Sequence, residues 1–282
     1  MGRSFAVSII ESIIYGFVSG ITEFLPISSR AHQTILRFLF GVESRNFFQE
    51  FLVHIGLLVA VIFCCRDILN RFRHQVSASL TTRSKRNRKK EFAEYYDFRL
   101  LKTATFPLVI CLLILFLIVK IEVNLLLIIG FLLINAILLF FAAHSMQGNR
   151  NAKTMTGLDG VIMGIIGSFS LFPGISRIGI ISTYTTLRGA DIKNTANWMV
   201  LLSIPAILCF IAFDLIGMVS VGAGTISLLA IISYVLSGIA AFCGGYIAIS
   251  ILFTILTHSG YAYFAYYSIG AALFTFIIYL IT

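Results

Sequence analysis

The sequence predicts an all-α polytopic membrane protein built as an inverted-topology repeat, each half being one re-entrant helical hairpin plus three transmembrane helices. Composition gives the class: 59% of the 282 residues are hydrophobic and only 12% charged. Mean hydropathy is +0.97, and several apolar runs approach the roughly 20 residues that cross a bilayer. A motif written twice gives the repeat. Pro26-Ile27-Ser28-Ser29-Arg30 and Pro173-Gly174-Ile175-Ser176-Arg177 both read P-x-x-S-R, and each follows a glycine, Gly20 or Gly167, inside an apolar stretch. Helices interrupted at matching places in the two halves of a chain are how pseudo-symmetric membrane proteins build a polar site at depth.

The elements follow in order. The apolar stretch 5–25 runs into the first motif without a small-residue cleavage site, so it is read as a retained segment rather than a cleavable signal. With 31–40 it forms the first re-entrant pair, although 5–25 is also long enough to span. Segments 47–65, 103–119 and 125–143 are spans. Segment 157–172 and the short piece to residue 187 form the second re-entrant pair, and 196–219, 225–253 and 261–281 are spans. The whole is one membrane domain, 1–282, divided into repeats 1–147 and 148–282. Eleven of the 21 Lys and Arg fall in the loop 66–102, which the positive-inside rule places in the cytoplasm. That distribution of the +9 net charge excludes nucleic acid as a partner and points to anionic lipid head groups. The five cysteines, Cys64, Cys65, Cys111, Cys209 and Cys243, lie in apolar segments without metal-ligand spacing and are read as small buried side chains.

The motifs carry the chemistry. A proline removes a backbone donor and breaks the helix. Beyond it, the amides and hydroxyls of a new helix N-terminus favour an anion, and arginine matches phosphate oxygens in bidentate geometry. A lone membrane serine is more often spent on a backbone carbonyl, whereas Glu, His or Arg at that depth marks function. The candidate catalytic residues are therefore Glu23, Ser29, His32 and Arg177, and the candidate substrate-binding residues are Ser19, Ser28, Arg30, Gly174 and Ser176. Ser28 or Ser29 would be nucleophile or anion ligand, His32 acid or base, and Arg177 the group that neutralises phosphoryl oxygens. A phosphate or diphosphate whose lipid tail stays in the membrane fits such a site.

The stretch from Gly16 to His32, GFVSGITEFLPISSRAH, resembles the first signature of the bacterial undecaprenyl pyrophosphate phosphatases of the BacA type, approximately G-x-x-E-G-x-T-E-F-L-P-x-S-S-T-G-H. Phe172 to Gly179 resembles their second, P-G-x-S-R-S-G, and weaker similarity at Glu50 to Gly56, Leu201 to Pro205 and Asp214 extends over nearly the whole chain. The resemblance implies hydrolysis of a polyprenyl diphosphate to the monophosphate, which recycles the carrier lipid of cell-wall synthesis and underlies bacitracin resistance. It implies a site open to the outer face of the cytoplasmic membrane, and Mg or Ca assistance through a pair of acids of which Glu23 is the second. A homodimer is a candidate assembly. The chain departs from the pattern at Ser19, which stands where the family has Glu or Gln and weakens the metal site; at Arg30, in place of Thr; at Ala31, in place of Gly; and at Ile178, Ile181, Asn197 and Met199. The alternative reading is a transporter or flippase that moves a polyprenyl phosphate without cleaving it.

Overall fold

In the computed structural model, residues 8–42, 44–70, 73, 92–118, 124–145, 148–221, 227–257 and 260–281 are described. Residues 74–91, most of the basic stretch of the expected cytoplasmic loop, lie outside them. The first half contains α1 (Ile9–Phe24), α2 (Ser29–Leu39), α3 (Phe47–Cys64), α4 (Phe92–Ile118) and α5 (Leu125–His144). The second contains α6 (Gly157–Ser168), a 3₁₀ turn (Phe169–Leu171), α7 (Arg177–Leu187), α8 (Ile192–Val221), α9 (Leu228–Thr257) and α10 (Tyr261–Ile281). The described residues thus form an all-α membrane protein.

Length separates the helices into two kinds. Six are long and apolar enough to cross a membrane: α3, α4, α5, α8, α9 and α10. They match the six expected spans, with α4 and α8 beginning earlier than the sequence predicts. At about 1.5 Å of rise per residue, a 16-residue α1 reaches only about 24 Å, short of a hydrocarbon core of about 30 Å. The 11, 12 and 11 residues of α2, α6 and α7 reach less. Each short pair turns at a proline motif, as expected of the hairpins. The spans turn their large apolar side chains outward, among them Phe106, Leu117, Tyr263 and Ile281. Inside a bilayer those faces meet lipid, with no penalty for exposure.

Corresponding devices recur in the two halves. α1 opens on a capping box made by Ser8 and Glu11, and α6 on one made by Thr156 and Asp159. α1 then packs along α9 and α6 along α4, each short helix resting on a span of the other half. Small residues allow both contacts: a Cβ at Gly16 or Gly20 would collide with the α9 backbone, and one at Gly164 with the α4 backbone. α3 packs against α8, and α5 against α10. The main core lies between these pairs around Leu57, Leu108, Met163 and Trp198. A second cluster, including Ala31, Ile35, Ile128, Leu132 and Ala272, seats α2 on α5 and α10. All five cysteines are free.

At the open end of the second hairpin, Asp159 accepts from Arg188 Nε at 2.8 Å and from the Tyr184 hydroxyl at 2.7 Å, tying α6 to α7. Burial works against the Asp159 charge, but donors from Arg188, Thr156 and Tyr184 outweigh it and hold the carboxyl well below the ordinary range.

Candidate functional site

The two proline motifs meet. Ser28 adopts φ 64°, a left-handed conformation that costs a non-glycine residue free energy and persists only where neighbours enforce it. Here the enforcing neighbour is the other motif, because the Gly174 amide donates to Ser28 Oγ at 2.9 Å. Gly174 itself sits at φ 120° with its backbone against Phe131 and Leu132, so only glycine fits there. Ser176 caps α7 by accepting from the Gly179 amide, and its hydroxyl donates to Leu25 O at 3.3 Å in the opposite loop.

A residue the sequence reading missed joins the two loops. Asn135, fully buried in the middle of α5, donates through Nδ2 to Pro26 O at 2.9 Å and to Ser268 Oγ at 3.1 Å. Its Oδ1 accepts from the Ser176 amide at 3.1 Å. One side-chain amide thus satisfies a carbonyl freed by the first break and an amide freed by the second. A lone asparagine inside an otherwise apolar span was the available signal, since polar groups persist there only with partners.

Two of the expected catalytic residues form a buried ion pair: Arg177 Nη2 lies 2.7 Å from Glu23 Oε1, with side-chain exposures of 2% and 10%. Only one arm of the guanidinium is used. Arg177 Nε and Nη1 are buried without a hydrogen-bond partner. Two buried charged nitrogens are thus left with N–H donors that an anion could accept.

The remaining candidates divide. Ser29, at the start of α2, is buried with its hydroxyl in a long contact of 3.4 Å to Ser19 O. His32 reaches Ser28 O through Nδ1 at 2.8 Å and the Tyr267 hydroxyl through Nε2 at 2.9 Å. A carbonyl only accepts, so Nδ1 carries the proton and Nε2 is the basic nitrogen. Neither nitrogen is bonded to Ser29; Nε2 faces Tyr267, which is 47% exposed on α10, instead. Ser19, expected to bind substrate, makes bonds within the protein. It is fully buried, its hydroxyl donates to Tyr15 O at 2.7 Å and Gln33 Nε2 donates to it at 3.2 Å. Its proton is spent within α1, and the bond from Gln33 joins α1 to α2. Arg30 projects toward α8, its guanidinium carbon 4.4 Å from the centre of the Phe210 ring.

Beside Arg30 lies a charge cluster that the sequence reading noted only as scattered similarity. Glu50 accepts from Arg45 Nε at 2.9 Å and from the Tyr15 hydroxyl at 3.3 Å, and Arg37 stands 3.7 Å away. Asp214 is held by His54 Nδ1 at 2.6 Å, with Arg45 at 3.7 Å. Its carboxylates are thus already matched by cations of the protein.

Assembly of the two S-R motifs around a half-used arginine agrees with the comparison by sequence. The family profile for bacitracin resistance protein BacA matches residues 12–274. The chain belongs to the BacA family. It is 34% identical to an undecaprenyl-diphosphatase of Alkaliphilus metalliredigens over 92% of this chain and 94% of that one. It is 31% identical to undecaprenyl-diphosphatase 1 of Shouchella clausii over 96% of each. A Methanosphaera stadtmanae protein named undecaprenyl-diphosphatase is also 31% identical, over 96% of this chain and 98% of its own.

The metal expected from the resemblance meets a poor donor set. No group of three or more His, Cys, Asp and Glu able to hold a metal ion occurs among the described residues. Glu23 has no carboxylate beside it where Ser19 stands, and its Oε1 already accepts from Arg177. Magnesium and calcium are held by several oxygen ligands, usually more than one of them anionic. The residues present do not fit such an ion.

Proposed function

We propose that this protein hydrolyses undecaprenyl diphosphate to undecaprenyl monophosphate and phosphate within the membrane. The observation that carries the reading is Arg177: a buried cation with two free donors at the junction of both motifs has a phosphoryl group as its natural complement. The names of the relatives favour hydrolysis over a non-cleaving carrier. In the proposed reaction Ser29 attacks the terminal phosphorus, the bridging P–O bond breaks toward the lipid monophosphate, and water then releases phosphate from the serine. Arg177 neutralises the equatorial oxygens as charge builds on them. The Ser29 proton is proposed to pass to His32 Nε2 once the imidazole turns from Tyr267 toward the serine, and from the imidazole to the departing phosphate oxygen. Ser28, Gly174 and Ser176 shape the anion-facing loops. Purified protein should release phosphate from undecaprenyl diphosphate and lose that activity on Arg177→Ala; phosphate release unaffected by that substitution would remove the basis of the proposal.

The architecture is proposed to be an inverted-topology repeat with its divide near residue 147, supported by the matched caps, the matched small-residue contacts and the exchanged packing of α1 and α6. Orientation follows from charge: the basic loop lies in the cytoplasm of a bacterial inner membrane and the site opens outward. A cysteine placed at Ser84, outside the described residues, should react with an impermeant reagent only after cells are opened. A homodimer is proposed as the assembly, testable by mass measurement in detergent.

A further inference from the structure

We propose that Arg30 supplies the positive charge that a divalent metal would otherwise bring, so that this protein grips a diphosphate between two arginines, one from each motif. This rests on the phosphatase reading for its substrate class, but the binding claim stands on geometry alone.

Four observations converge. The donor set around Glu23 lacks the second carboxylate a metal needs, and Ser19 in its place is fully buried with its proton committed to Tyr15 O. Arg30 follows Ser29 as Arg177 follows Ser176, so both arginines project from the first turn of a short helix that begins at a proline break. Arg30 is half-buried and makes no hydrogen bond or ion pair among the described residues; stacking on Phe210 is the contact that holds it. Glu23 and Asp214 are the carboxylates near enough for their charge to act on it. Both are committed elsewhere, Glu23 to Arg177 and Asp214 to His54 and Arg45.

The balance of charge follows. Arg30, Arg37, Arg45 and Arg177 face Glu23, Glu50 and Asp214, leaving a surplus cation, and the guanidinium without a hydrogen-bonding partner is that of Arg30. A diphosphate carries more than one negative charge and two phosphoryl groups. Arg177, with N–H donors left on Nε and Nη1, takes one; Arg30, with its whole fork free, takes the other. Arginine is suited to this because its guanidinium stays protonated and is less costly to strip of water than an ammonium. Stacking on Phe210 orients the fork without consuming its N–H donors.

The test uses the full-length protein in detergent, with inorganic pyrophosphate and inorganic phosphate as probes, titrated calorimetrically in EDTA and in magnesium. Wild type should bind pyrophosphate in EDTA. Arg30→Met should weaken pyrophosphate binding roughly ten- to a hundredfold, the range of a lost charged hydrogen-bonding group. Phosphate binding, carried by Arg177, should change by less than about threefold. Thermal unfolding of each variant identifies a folding failure. In that event Arg30→Lys decides, because it keeps charge but loses the fork: intermediate affinity supports the proposal and wild-type affinity overturns it. Binding of pyrophosphate only when magnesium is present, or equal binding by wild type and folded Arg30→Met, also overturns it. Chelator-resistant, Arg30-dependent binding without phosphate release from undecaprenyl diphosphate would sink the phosphatase reading and leave this one standing. Hydrolysis that vanishes in EDTA along with pyrophosphate binding would do the reverse.

Discussion

The first and second proline motifs share a sequence pattern and differ in what each supplies. In the second, Ser176 caps its own helix and Gly174 takes the backbone conformation that glycine adopts without strain. In the first, Ser28 is forced to a positive φ and gives no cap to α2; its hydroxyl serves Gly174 across the junction instead. The strained loop carries Glu23, Ser29 and His32, the groups that could react or move protons. The relaxed loop carries Arg177, the group proposed to bind phosphoryl oxygens. The same break is thus free of strain where anion binding is proposed and strained where chemistry is proposed.

The comparison breaks most directly at Arg177. Arg177→Ala should lower kcat/KM for phosphate release by about a thousandfold, the scale of losing a transition-state donor, compounded by leaving Glu23 buried and unpaired. Arg177→Lys should recover only part, because a point charge replaces a fork. If instead the loss is less than about tenfold, the second motif is not the binding half.

Next in size, Glu23→Gln and His32→Ala should each lower kcat by about a hundredfold with KM changed little. Ser176→Ala should do the opposite, raising KM more than it lowers kcat. A steady-state series that reverses this split would reverse the assignment of roles.

Asn135 tests whether the halves act as one site. Asn135→Leu leaves Pro26 O and the Ser176 amide without a buried partner, at about 1–3 kcal/mol for each such group. Both the thermal midpoint and KM should suffer, whereas Asn135→Asp, which keeps an acceptor for Ser176, should retain part of the binding. Equal behaviour of the two variants would make Asn135 a packing residue only.

The smallest effect is expected at Asp159, far from the chemistry. Asp159→Asn should cost about 1 kcal/mol, discounted because Arg188 is 42% exposed. A carboxyl held below its ordinary range contributes stability that is fully present above that range and fades as pH falls through the folded-state value. The difference between wild type and Asp159→Asn should therefore be constant from neutrality down to about pH 5 and shrink only below about pH 4. A difference that grows on acidification would place the stabilising charge elsewhere.

The spans were legible because lipid imposes a single long-range rule, apolar residues over a fixed length, and the six long helices obey it. The hairpins were legible because a proline motif occurs twice. What escaped was pairing between elements distant in sequence. Ser19 looks like a small change in a catalytic signature, and nothing local shows that Gln33 and Tyr15 already occupy it. Asn135 belongs to no motif. Glu50, His54 and Asp214 come from two spans, and only packing α3 against α8 makes them a cluster. His32, expected to be acid or base at the shared site, turns its Nε2 to Tyr267 on α10, a partner 235 residues away in sequence.

The hydrogen bond from Gly174 to Ser28 joins residues 146 apart. At translation rates of about 5–20 residues per second, the first hairpin is complete roughly 7–30 s before its partner loop leaves the ribosome. Throughout that interval the Ser28 hydroxyl lacks the amide that completes it, and a polar group in that position needs water rather than lipid. The first hairpin is therefore expected to stay hydrated until the second arrives. Insertion ends with the site, and a chain arrested before residue 174 should leave α1 and α2 open to protease.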